Sequence, residues 1–203
     1  MLQHPVAVRA AFEQGATSFL VTLTNIADDQ WDTPGLGEWT VRELCAHALR
    51  AFTTIETYLS MEPVTDRVMA DAGEYFRAVM GTENMHAAVA QRSRAAGAAL
   101  SDPVGETEAT VARVLALVAS TLDDDPVNTF AGQMTFIEYL ATRCVELGVH
   151  TLDLQRATGQ PPGLRTDTAV VALTVLTELA DPATLLLAIT GRAPLPADFN
   201  VLG

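Results

Sequence analysis

Apolar residues recur along this chain at spacings of three and four rather than two, and the pattern resolves into a succession of helices. The first predicted helix runs from His4 to Ile26, with Phe12, Ala16, Phe19, Leu20, Leu23 and Ile26 on one stripe. Asp28 to Trp39 reads as a loop, broken by Pro34, Gly35 and Gly37. Thr40-Val41-Arg42-Glu43 has the form of a capping box, in which a hydroxyl and a carboxylate satisfy each other's backbone N–H groups. It opens a second helix reaching Leu59, with Val41, Leu44, Ala48, Ile55 and Leu59 turned inward. Beyond Pro63, the polar and Ala-rich stretch from Asp66 to Ser101 accommodates one or two helices interrupted near Gly81. Gly105 to Leu122 is helical through Val111, Val114, Leu115 and Val118, and Asp123-Asp124-Asp125-Pro126 stops it. Asn128 to Gln133 reads as a loop. Thr135 to Thr158 is a long helix ended by Gly159, with Pro161 and Pro162 beyond. Thr166 to Gly191 gives two short apolar helices split at Asp181-Pro182. The expectation is an all-α bundle in a single domain over 1–203, with a core over 1–160 and a helical extension over 161–203.

Charge narrows the partners. Of 203 residues, 12 are basic and 25 acidic, for a formal charge of −13, and every basic residue is Arg. Binding to phosphates by counterion release needs basic clusters, which are missing here, so nucleic acid and anionic membrane surfaces are both excluded. Without lysine there is no Schiff-base chemistry and no Walker-type site. No segment is apolar enough for a span and no basic n-region precedes an apolar run, so a cytoplasmic location is expected. Two cysteines, Cys45 and Cys144, do not make a disulfide framework.

Candidate chemistry gathers on two helices. Glu146 and His150 lie four residues apart on the long helix, with Cβ atoms ~6 Å apart on one face. Asp153 follows on the same stripe and Arg143 lies one turn before. Glu43, His47 and Arg50 form a matching stripe on the second helix. A bundle that sets His47 against Glu146 and His150 offers two imidazoles and one carboxylate to a cation, leaving a position open, which is the catalytic zinc pattern. Asp153 or Glu43 would then accept from the far imidazole nitrogens. The same spacing also arises on ordinary solvated helix faces, and spacing alone leaves both readings open. Cys45 and Cys144 each precede a candidate ligand by two residues, ~200° around the helix, and read as core. His4 and His86 read as surface residues, while Trp31 and Trp39 read as packing the loop on the bundle near a pocket mouth.

The segment from Gln30 to Arg50, QWDTPGLGEWTVRELCAHALR, resembles the mycothiol-dependent maleylpyruvate isomerase N-terminal family, among the DinB-like metal-binding bundles. So does RCVELGVHTLDLQRATG, from Arg143 to Gly159, with its E-x-x-x-H-x-x-D helix, and the ending TGRAPLPADFNVLG is similar to those of short family members. The resemblance implies a DinB-like four-helix bundle with a long crossover after the second helix and additional short C-terminal helices. It implies a divalent metal, zinc first, held by His47, Glu146 and His150; by its chemistry such a donor set also accepts nickel, iron and manganese. It further implies a mycothiol-type thiol as cosubstrate. The family's isomerases carry a C-terminal α/β domain with a substrate-binding arginine, whereas the stretch after Gly159 reads as short and helical. The resemblance therefore extends to the metal-binding half rather than to maleylpyruvate isomerisation itself.

Two functions follow as expectations. One is a metal-dependent S-transferase or isomerase acting on a small electrophile; the other is a non-enzymatic metal- or ligand-binding bundle of stress-response or regulatory type. The partners implied are a small thiol and an electrophilic substrate, with a homodimer as an option. Arg50 and Arg143 are candidates for orienting an anionic substrate, pairing with acidic neighbours being their simpler role. No catalytic residue beyond the metal ligands is assigned.

Overall fold

The computed structural model describes residues 4–81 and 85–202, with the side chains of 85–88 outside the description. Its helices are α1 (Pro5–Thr24), α2 (Val41–Ala48), α3 (Arg50–Ser60), α4 (Ala72–Met80), α5 (Met85–Ala99) and α6 (Pro103–Ser120). After a two-stranded hairpin, β1 (Pro126–Thr129) and β2 (Gly132–Thr135), come α7 (Phe136–Ala157), α8 (Thr166–Thr177) and α9 (Pro182–Ile189). Packing of α1, the α2–α3 pair, α6 and α7 makes an all-α, DinB-like bundle, with α4 and α5 in the long crossover and α8 laid against α1 and α7. Among the described residues, no helix is long and apolar enough to cross a membrane.

Local chemistry explains the helix starts. The Thr40 hydroxyl accepts from the Glu43 N–H at 3.2 Å, and the Glu43 carboxylate accepts from the Thr40 N–H at 2.9 Å, so both arms of the capping box are made. Asp71, Asp102 and Asp181 cap α4, α6 and α9 in the same way, each accepting from an N–H three residues on. The core is continuous through the bundle. Phe52 stands between Phe12 and Phe19, with ring centroids at 5.5 and 6.1 Å, and Leu140, Leu147 and Leu154 extend it along α7. By contrast, α9 buries none of its residues and leaves Leu186, Leu187 and Ile189 exposed.

Two segments depart from the sequence reading. The second helix is not continuous: its ladder is interrupted at Leu49, which keeps helical dihedrals and still donates to the Cys45 carbonyl. Residues expected as a loop, Asn128 to Gln133, lie within the hairpin, where Asn128 pairs with Gln133 and Val127 with Met134. Val127 and Met134 are both buried, so the hairpin covers one end of the core rather than standing free. Gly132 has φ +145, and a Cβ there would meet the Arg67 carbonyl oxygen at 2.8 Å. Only glycine fits that close approach. The neighbouring chain is tied in through Gln133 N–H to Arg67 O and Met69 N–H to Gln133 O.

Candidate metal centre

Facing turns of α2 and α7 build the site. His47 stands in the last turn of α2, while Glu146 and His150 occupy consecutive turns of α7. One ligand-type atom from each of the three lies within 4.8 Å of the other two, so together they could hold a metal ion. The His47 and His150 rings meet edge-on with centroids 4.7 Å apart, and His150 Nε2 is 3.4 Å from a Glu146 carboxylate oxygen.

The donor set suits a divalent cation, because each imidazole is anchored by its far nitrogen. His47 Nδ1 is 3.2 Å from the Ser93 hydroxyl on α5, and His150 Nδ1 is 3.3 Å from Asp153 Oδ2. Both partners fix ring orientation and leave the Nε2 atoms for the shared point, as supporting groups do around metal-binding histidines. The Trp39 indole packs against the His47 ring, with centroids at 4.7 Å.

Charge in the metal-free site is arranged around His150. Burial works against its protonation, yet hydrogen bonds to Asp153 and Glu146 push its pKa up to about 9. Burial alone would raise the Glu146 carboxyl, but the His150 hydrogen bond and the charge of Arg143 hold it at about 2. Burial, followed by the charge of His150, pulls His47 down to about 4. A proton on His150 thus supplies the positive charge beside the Glu146 and Asp153 carboxylates.

These shifts fix the pH dependence of the metal-free fold. His150 binds its proton more tightly when folded, so its stabilisation is complete below pH 6.5 and is lost as the pH rises through about 9. His47 has the opposite sign, and stability rises as the pH climbs from about 4 to 6.5. Glu146 contributes above pH 4.5, and that contribution disappears as the pH falls through about 2. In chelator, thermal melts should therefore peak near pH 6.5 in the wild type, and the decline from there to pH 9 should flatten in His150→Gln. An unchanged decline in that variant would rule this origin out.

The remaining candidate residues separate. Asp153 contacts His150 directly, and its second oxygen accepts from Arg156 at 3.2 Å. Glu43 is turned to the Thr40 N–H instead, and Ser93 stands at the far nitrogen of His47. Arg50 lies close enough to His47 to act on it through its charge; its carbonyl accepts from the Thr54 hydroxyl, while its guanidinium has no hydrogen bond or ion pair among the described residues. Arg143 is enclosed, at 5% exposure. Its guanidinium lies 4.7 Å from the Tyr139 ring centroid and 5.6 Å from that of Tyr75, and its Nε donates to Thr142. Cys45 and Cys144 are free and buried, with thiols raised by burial, Cys45 to about 12. Trp31 is buried, and Trp39 is packed against the core. His4 is exposed and accepts from the Val6 N–H, while the His86 side chain lies outside the described residues.

The family model for the mycothiol maleylpyruvate isomerase N-terminal domain matches residues 5–155. This span takes in α1 through nearly all of α7, including His47, Glu146, His150 and Asp153. No curated protein matches the chain, and no solved structure does. With a matching family model over most of its length and a DinB-like bundle that draws two histidines and a glutamate together, the chain belongs to the mycothiol maleylpyruvate isomerase N-terminal domain family.

Proposed function

We propose that this protein is a divalent-metal-dependent enzyme that uses a small thiol of the mycothiol type, joining the intact thiol through its sulfur to a small electrophile or isomerising the electrophile through a thiol adduct. The observation that carries this reading is the convergence of His47, Glu146 and His150 within 4.8 Å, in a member of a family named for a mycothiol enzyme. His47 and His150 would supply neutral nitrogens and Glu146 a charge, with zinc the first choice of ion and nickel or iron also compatible with the donors. When bound, such an ion lowers the pKa of a thiol brought to it, making thiolate available near neutral pH.

The chain's own residues prepare that chemistry. Asp153 holds His150 through Nδ1, and Ser93 does the same for His47, so neither ring has to reorganise. Trp39 shields one face of His47 from water. The His150 hydrogen bond, and after it the charge of Arg143 within the bundle, keep Glu146 ionised.

The test is mycothiol binding by calorimetry to protein as purified and after chelation, followed by thiol consumption with a panel of small electrophiles. Binding that is present in the first sample and absent from the second, together with metal-dependent consumption, is expected. Full metal content with neither thiol binding nor turnover would favour the non-enzymatic metal-binding bundle.

A further inference from the structure

Cations are scarce in this chain, with 12 arginines against 25 acidic residues, so an arginine without an acceptor stands out. Among the described residues, Arg9, Arg42, Arg67, Arg94, Arg113 and Arg156 each hold a carboxylate. Arg77 and Arg192 donate to backbone carbonyls, and Arg143 to hydroxyls. The side chains of Arg50, Arg92 and Arg165 make no such bond among the described residues, and the first two line one cleft of about 300 Å³.

That cleft lies between the α2–α3 junction, α5 and the start of α6. Ala46, Leu49 and Ala96 give it apolar walls, and Thr53 also lines it. Glu106 also lines it, but neither arginine comes within ion-pair distance of that carboxylate among the described residues. Glu106 Oε1 instead accepts from the Ser101 N–H, the Ser101 hydroxyl and the Asp102 N–H, which ties it to the loop before α6. The cleft is left with a net positive charge on a strongly negative molecule.

We propose that this cleft is a binding site for a small oxyanion, a carboxylate or a phosphate, held between Arg50 and Arg92. Planar guanidinium groups recognise both anions through paired N–H donors, and a partly apolar wall strengthens those bonds by excluding water. The site adjoins the metal centre without sharing its residues. Arg50 follows His47 by one turn, and Arg92 precedes Ser93, the hydrogen-bond partner of His47. An anion bound there would sit behind the wall that carries His47.

The experiment is calorimetric titration of chelated protein with inorganic phosphate and, separately, with succinate, at fixed ionic strength. Chelation removes any report from a bound metal, so the result is independent of the thiol reading. Saturable binding of either anion in the millimolar range is expected, and the anion preferred identifies the ligand class. Arg92→Gln and Arg50→Gln should each weaken it by about tenfold, the size of one charge-assisted hydrogen bond. Arg94→Gln removes the same charge from the same helix, where Arg94 pairs with Glu38, and should change it by less than about twofold. Arg92 is exposed, so its variant keeps the fold even where Arg50→Gln does not. Equal weakening by Arg94→Gln, or no saturable binding of either anion, would overturn the proposal.

Discussion

On the proposed ligand set, His150→Ala should abolish metal binding, and His47→Ala should do the same. In either variant only two of three donors remain, and elemental analysis should fall from near-stoichiometric metal to trace. Asp153→Asn keeps the ligands but loses the carboxylate behind His150, and should lower affinity by about 10–100-fold. The ligand variants should exceed that loss. The ion must also displace a proton, because His150 holds one up to about pH 9 in the metal-free state. Apparent affinity should therefore climb about tenfold per pH unit from 6.5 towards 9 in the wild type. Near-stoichiometric metal retained by His150→Ala would exclude these residues as the ligand set.

Arg143→Ala should be the most destabilising change near the site, costing about 3–5 kcal/mol, as removal of a buried charge from its partners does. At about 2–4 °C per kcal/mol for a chain of this size, that is a fall in Tm of roughly 10 °C. The loss has two parts. Tyr75 and Tyr139 lose the cation packed on their rings, and Glu146 loses a charge that holds its carboxyl low. Arg143→Met separates them, since it restores much of the volume but none of the charge. It should recover part of the stability while leaving Glu146 easier to protonate, which acid-side melts in chelator would show. A Tm for Arg143→Ala within a degree of wild type would show that the guanidinium is not integrated as its enclosure indicates.

The metal-binding candidates were legible because helical spacing is a local property. Glu146 and His150 share a face by their separation alone, and the capping box at Thr40 sets where α2 begins and hence where His47 stands. What spacing lacks is the third dimension. Glu43 lies on the same stripe as His47, and its role in the cap was equally visible, but only the coordinates show that the cap takes its carboxylate. Ser93 gave no signal within an Ala-rich run, since its meaning comes from a helix packed across from His47. The tyrosines on Arg143 come from separate elements, with Tyr75 on α4 and Tyr139 on α7. The hairpin escaped for a different reason. Its connection, Phe130-Ala131, carries no Asn-Gly or Asp-Gly, and the glycine that matters follows as Gly132, set by the nearby Arg67 carbonyl.

Both cysteines lie in the core with their thiols held well above the range where thiolate forms. Alkylating reagents therefore find no ready thiolate on the folded chain, which also lacks lysine amines. Reactive electrophiles can be supplied in excess during turnover assays without inactivating the protein through its own sulfur. The same shielding makes the two thiols a clock. Each becomes reactive only when its helix opens, so labelling at Cys45 and Cys144 times the opening of α2 and α7 separately, and metal bound between those helices should slow both.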